Sequence, residues 1–449
     1  MTVLPRFTEV SRSRPVDLVA ATARTVTATG PGTCATPHPA PYAAVTAGVT
    51  GPATLSLSSG EVRLDGWWDG TRLGVEVGTG GGMTRHVSRR HSRPSGAPDA
   101  VALALTGTHV TVFSRVAGTW TAHARVDLRG RVDTRDEAWL AGLHSHAAGA
   151  VGDVEAGGFG QLGLRDIRLA SNADGTPYLL GERVVLTATS AGPGFFDTAH
   201  TSVWALDPGT LALEHLSDLF FRRPDAPGAY GDHATHLVRD GHRWLVATST
   251  WGDFDRSRPG AGVAVTLAET GAGLLAGRHL LDTRPLPLPT EELRSVGVWD
   301  PHLVRTDLGS GPVWLVGFVS SPAFWTFYPA VASGPSLDAL TLRSAAADRT
   351  ATEGTTLLRV GDEWRVLASD GRDSRRRLRR RYPVFDLDLR ETGTVAAPYP
   401  TNIPWPTLVP YGDSWLLVTF DGTPVGGRIP GYGTHGDVVF LRPEPRTTV

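Results

Sequence analysis

Three carboxylates stand at comparable points of this chain, each just ahead of a repeated phrase: Asp166 in Leu164-Arg165-Asp166-Ile167, Asp300 in Trp299-Asp300-Pro301-His302, and Glu353 in Thr352-Glu353-Gly354. Carboxyl groups that meet can divide proton work. One stays ionised as a base while burial and repulsion keep the other neutral as an acid. A lone Asp is more often a turn residue or half of an ion pair. An ordered set of three is a better candidate for chemistry, provided the fold gathers residues so distant in sequence.

The elements that must gather them are announced by the phrase itself: a polar turn, a large apolar residue, two or three aliphatics, then Ser or Thr. It occurs around Val185, Trp244, Trp314, Trp364 and Trp415, with separations of 59, 70, 50 and 51 residues. In the copy Glu353 to Gly371, two apolar runs flank Gly361-Asp362, the signature of a β-hairpin. A β pattern repeating at this period predicts a propeller, one blade of about four strands per copy. The expected fold is all-β: an N-terminal β-sandwich followed by a five-bladed β-propeller. Residues 1–40, rich in Thr, Pro and Arg, read as weakly structured. Residues 41–156 alternate as short strands and read as the sandwich, of concanavalin or laminin-G type, and 157–445 as the propeller. The Gly-rich stretch Gly149 to Gly163 reads as the joint between them. In a propeller the innermost strands line one axis, so residues opening them face a common pocket. The other openings are His233 with His236, Ile403 to Pro406, and a closing strand with Gly433-Thr434-His435-Gly436.

Composition removes several classes of function. All 43 basic side chains are Arg, so lysine Schiff bases and a Walker-type phosphate loop are excluded. Cys34 is the only cysteine, which rules out an intrachain disulfide and any multi-cysteine metal site. The net charge of −2 gives no general surface for nucleic acid or membrane, and no such partner is expected. No apolar run reaches the length of a signal peptide or a membrane span, so a cytoplasmic location is expected. His144/His146 and His233/His236 lack a metal-site pattern, and no Gly-x-Ser-x-Gly elbow is present. Two basic runs, Met83 to Arg93 and Arg375 to Arg381, read as solvated. The second directly follows the fourth hairpin, within reach of a pocket there. Trp67-Trp68 could form a sugar platform in the sandwich, but core packing is the simpler reading.

The ordered set Asp166, Asp300, Glu353 and His435 resembles the five-bladed glycoside hydrolases of family 43 and their clan relatives in families 32, 62 and 68. Those enzymes carry an Asp on blade one, an Asp-Pro on blade three, a Glu-Gly on blade four and a Gly-His pair on blade five. Ile167 and Thr355 depart from the prolines usual in the family, and here the sandwich precedes the propeller. The resemblance implies inverting hydrolysis of a small arabinosyl-, xylosyl- or galactosyl-type glycoside. It assigns Asp166 as base, Glu353 as acid and Asp300 as the residue that raises the acid's pKa. Phe196, His233, Trp251, Trp299, Trp325, Trp405 and His435 are the candidate substrate contacts, the aromatics stacking on the sugar face. The substrate is expected to be a small molecule or an oligosaccharide. No cofactor or metal is expected, although family analogy leaves room for calcium near His435. The alternatives are a propeller recruited to a lyase, cyclase or phosphorylase reaction, and a sugar-binding protein without turnover.

Overall fold

The computed structural model describes residues 4–194, 196–258, 261–309, 311–423 and 436–445. Five β-sheets are arranged as the blades of a propeller. Their inner strands are Leu164–Leu169, His233–Asp240, Gly297–Asp307, Thr352–Val360 and Thr407–Tyr411. Each repeated phrase forms the second strand of its blade: Arg183–Ser190, Arg243–Ser249, Pro312–Ala323, Glu363–Asp370 and Ser414–Asp421. These strands are nearly all buried because neighbouring blades cover both faces. That explains their continuous apolar runs in place of alternation.

The five blades are not equal units. After the third strand of blade two, the chain returns to blade one, where Gly277–Asp282 lies parallel to Leu213–Arg222. Only then does it enter blade three. This excursion accounts for the longest interval between phrases, from Trp244 to Trp314.

The first forty residues differ most from expectation. Phe7–Ser13 is the outer strand of blade five, antiparallel to Asp437–Pro443, so the ring is closed by the earliest strand of the chain. Asp17–Thr29 and Gly32–Ala35 both pair with the 18-residue strand His144–Gln161. The same long strand replaces the joint expected at Gly149 to Gly163. It runs on past the expected boundary at 156 and leads directly into blade one. Glycine there serves close packing: a Cβ at Gly157 would come within 2.3 Å of the Ala23 carbonyl oxygen.

The sandwich is one folded sheet. Tyr42–Ser59 pairs with Ala100–Thr106 through its first half and with Val62–Trp68 through its second. The two arms close on a core that includes Leu55, Leu64, Val75, Leu103 and Val112. Trp67 and Trp68 are each 8% exposed, and Arg85 covers the Trp67 ring at 3.9 Å. They are packing residues and offer no sugar platform.

Sandwich and propeller share a core in which Leu18, Val19, Phe113 and Phe159 meet Phe220 and Leu280. Polar bonds frame it. Tyr42 Oη donates to the Ala199 carbonyl at 2.7 Å, Arg278 donates to the Tyr42 carbonyl at 2.9 Å, and Arg222 grips Glu137 at 2.6 Å. The turn Phe196–Thr198 is held from the sandwich side, where His109 Nδ1 lies 3.1 Å from Asp197. The sandwich thereby braces the turn that carries Phe196.

Candidate active site

Every inner strand from blade one to blade four breaks its pairing register at the same place. The breaks fall between Arg165 and Arg168, His233 and His236, Trp299 and His302, and Glu353 and Thr356. Within each break one residue takes a left-handed backbone: Asp166 (φ 48°), Ala234 (60°), Asp300 (56°) and Gly354 (76°). A bulge of this kind re-aims side chains, and left-handed non-glycine residues gather at functional sites. Asp tolerates this conformation better than most residues. At the fourth position only Gly fits, since a Cβ on Gly354 would come within 2.6 Å of the Trp405 ring.

The shared bulge aligns the blades residue by residue. Asp166, Ala234, Asp300 and Gly354 are equivalent, whereas Glu353 falls one step earlier, level with Arg165, His233 and Trp299. One step deeper towards the axis lie Arg168, His236, His302 and Thr356. Asp166, Asp300 and Glu353 all open on one cavity of about 380 Å³ at the propeller axis. Phe196, His233, Trp251, Trp299, Trp325 and Trp405 line the same cavity. His435 lies outside the described residues, and the calcium expectation with it. Among the described residues, no cluster of three or more His, Cys, Asp or Glu could hold a metal ion.

One wall is aromatic. Phe196 stacks on Trp251 at 4.4 Å, Trp251 meets Trp299 at 5.3 Å, and Trp299 meets Phe327 at 5.6 Å. Phe254 stands edge-on to both Phe196 and Trp251. Trp325 is 55% exposed and itself left-handed (φ 73°), a large apolar face held open at the mouth. Ile403, at the expected opening of blade five, lines the cavity as well, whereas Phe254 and Phe327 were not anticipated. Their signal, an aromatic residue close to a blade opening, is too common to single them out. Arg372, Asp373 and Asn402 also line the cavity and make its only polar rim among the described residues besides the carboxylates and His233. His233 Nδ1 donates to the Gly231 carbonyl at 3.0 Å, and burial holds the ring neutral, so Nε2 is left as an acceptor.

Beneath the carboxylates lies a cation the sequence reading passed over. Arg168 is 1% exposed, donates to the Thr355 carbonyl at 3.0 Å and to Thr356 Oγ1 at 3.2 Å, and sits over the Trp405 ring at 4.8 Å. Burial pushes its pKa down to about 10, against the pull of Asp300 and Asp166. Its neighbours His236 and His302 stack at 3.9 Å, and burial holds both well below the usual range. His236 Nδ1 accepts the Leu303 N–H at 3.0 Å, which places its proton on Nε2.

The carboxyls differ in their surroundings. Asp300 is buried, accepts the Gly354 N–H at 3.0 Å, and donates its own N–H to Ser249 Oγ at 3.0 Å. Burial first, then the charge of Glu353, raises its pKa well above the ordinary value. Glu353 is pushed up to about 8, by burial first and Asp166 second. The indole N–H groups of Trp299 and Trp405 favour its charged form, although neither closes to full hydrogen-bond geometry. Repulsion between Asp300 and Glu353 therefore weighs on Asp300, while the charge bearing on Glu353 is that of Asp166.

A carboxyl raised from 4.5 to about 8 makes the fold bind that proton more tightly than the unfolded chain does. Between those values stability falls as pH rises, because the native state holds more protons. Glu353→Gln removes the ionisation. Its melting temperature should exceed the parent's at about pH 9 and match it near about pH 4. Melting curves at the two pH values check this, and a variant no more stable than the parent at the higher pH would contradict it.

No family model matches the chain, and no curated protein does. Solved structures do match. One is the GH43_1 enzyme from Xanthomonas citri complexed with xylose, at 12% identity, covering 62% of this chain and 86% of that one, with a TM-score of 0.42. Another is inulosucrase from Halalkalicoccus jeotgali bound to kestose, at 13% identity, covering 58% of this chain and 76% of that one, with a TM-score of 0.45. A third is a family 117 glycoside hydrolase produced by the marine bacterium Zobellia galactanivorans, at 10% identity, covering 63% and 84%, TM-score 0.43. The likeness lies in the fold: this chain is a five-bladed β-propeller similar to solved glycoside hydrolases of families 43 and 117.

Proposed function

We propose that the protein is a glycoside hydrolase that cleaves a small arabinosyl-, xylosyl- or galactosyl-type glycoside with inversion. The observation that carries this reading is the meeting of Asp166, Asp300 and Glu353, from three different blades, in one aromatic-walled cavity. Glu353, with its pKa near 8, holds a proton at neutral pH and donates it to the departing glycosidic oxygen. Asp166 takes a proton from the attacking water on the opposite face of the sugar, the division of labour of an inverting pair. Asp300 accepts from the Gly354 amide and so fixes the bulge that presents Glu353. Arg168 offsets the negative charge that gathers when the base and Asp300 ionise. The stacked rings of Phe196, Trp251 and Trp299 receive the apolar face of the sugar.

A panel of aryl pentosides and galactosides, followed by chirality or NMR of the released sugar, tests the reading. Release of one sugar with inverted anomeric configuration is expected, with activity falling above about pH 8 as Glu353 ionises. Binding without release across the panel would favour a sugar-binding protein, and retention of configuration would remove the assignment of Asp166 as base.

A further inference from the structure

We propose that the arginine-rich turn at the mouth of the cavity is an anion-binding subsite, and that the glycoside carries carboxylate, sulfate or phosphate groups on the part reaching beyond the pocket. The anion site stands on its own geometry; that its ligand is a glycoside rests on the hydrolase reading above.

The turn joins the second and third strands of blade four. Its stem belongs to the pocket wall. Gly371 N donates to the Ala351 carbonyl at 2.7 Å, Arg372 N to Asn402 Oδ1 at 2.8 Å, and Ser374 Oγ to the Ala351 carbonyl at 3.1 Å. Ala351, Arg372 and Asn402 all line the cavity. Its tip, from Arg375 to Arg380, follows directly. It is backed by a short helical turn, Arg376–Leu378, and closed by a bond from Arg380 N to the Asp370 carbonyl at 2.8 Å. The tip is therefore a held structure at a defined place and not a trailing loop.

Arg375, Arg376, Arg377, Arg379 and Arg380 are all exposed. Among the described residues no carboxylate comes within ion-pairing distance of any of the five, and the remaining segments contain no Asp or Glu. Arginines close to the turn do have acidic partners. The very next residue, Arg381, reaches Asp370 at 3.2 Å and Glu391 at 2.8 Å, and Arg349 shares the same two acids. Where the sandwich meets the mouth, Arg129 is paired with Asp127 at 2.6 Å and with Asp255 at 3.1 Å. Five uncompensated like charges in six residues repel one another, in a chain whose total charge is −2. Set beside a pocket, such a cluster raises the local concentration of an anionic ligand and speeds its arrival. Guanidinium groups grip carboxylate, sulfate and phosphate in the same forked geometry.

The test uses the full chain carrying Glu353→Gln, so that cleavage of the ligand is slowed during the measurement. Calorimetry measures binding of a neutral trisaccharide, a uronate trisaccharide, a sulfated trisaccharide and a sugar phosphate at low and high salt. The same measurements are made after adding Arg375→Ser, Arg376→Ser and Arg377→Ser, three exposed positions outside the pocket lining. At least one anionic probe should bind with salt-sensitive affinity and lose on the order of tenfold in the triple variant, the scale of electrostatic steering at a charged cleft. The neutral probe should be unaffected. The anion that loses most identifies the group recognised. Equal affinity of parent and triple variant for every anionic probe would overturn the proposal, as would duplex DNA or anionic vesicles binding more tightly than the glycans. Arginine-dependent binding of an anionic glycan by a protein whose parent cleaves no glycoside would keep the subsite and remove the hydrolase reading alone.

Discussion

Replacing Glu353 with Gln will slow cleavage of a natural glycoside on the order of 10²–10⁴-fold, the usual scale of general acid–base help. The substitution preserves shape and removes the proton, so the loss should fall on turnover and follow the leaving group. An alkyl glycoside leaves as a poor alcohol and needs that proton most. An aryl glycoside with an acidic phenol needs it least. The alkaline limb near pH 8, set by Glu353, should vanish with the residue. Asp166→Asn is the contrast: it removes activation of water, so all leaving groups should suffer alike. Steady-state rates on a series of leaving groups separate the two. Undiminished and equal rates for the Glu353 variant across the series would remove it from the mechanism.

The second large effect is structural. Arg168→Met should destabilise the fold by about 1–3 kcal/mol, the range for leaving buried acceptors, here the Thr355 carbonyl and Thr356 Oγ1, without their donor. Arg168 opposes the burial that raises Asp300. Without it, Asp300 rises further and stays neutral at pH values where the parent's would ionise. The folded state of the variant then holds a proton the unfolded chain releases, so its deficit grows as pH rises and is smallest in acid. Denaturant melts of both proteins from acid to alkaline pH measure the deficit. A deficit independent of pH would mean that Arg168 acts only through packing and its bonds to Thr355 and Thr356.

The propeller was readable because its second strands are covered on both faces. Val185, Trp244, Trp314, Trp364 and Trp415 each begin a run that has no exposed face to interrupt it. The positions of Asp166, Asp300 and Glu353 were readable because they stand just before those hairpins. The bulges were not. No residue type marks them: the left-handed place is filled by Asp, Ala, Asp and Gly in turn. Without the bulge, Arg168 reads as an ordinary strand residue, and its burial under the carboxylates depends on a register shift that only the folded sheet displays. The first strand was unreadable for another reason. Phe7–Ser13 has one buried apolar residue and otherwise mostly Thr, Ser, Glu and Arg, and its partner Asp437–Pro443 lies at the far end of the chain.

That first strand has a consequence for how the protein is made. Phe7–Ser13 leaves the ribosome before anything else in the ring and is paired only when Asp437–Pro443 has followed, so it waits unpaired while the rest of the ring is made. A bare strand is a template for the wrong neighbour. Its own charges discourage that, since Glu9 and Arg12 repel or hydrate an incoming apolar edge. Arg12 then helps to fasten the ring, with Arg14 just beyond the strand. Arg12 reaches Asp421 at 2.7 Å, and Arg14 pairs with Asp437. Arg12 thus guards the seam while it is open and helps to lock it once it is shut, and the sandwich, threaded between the guard and the rest of the ring, folds inside that interval.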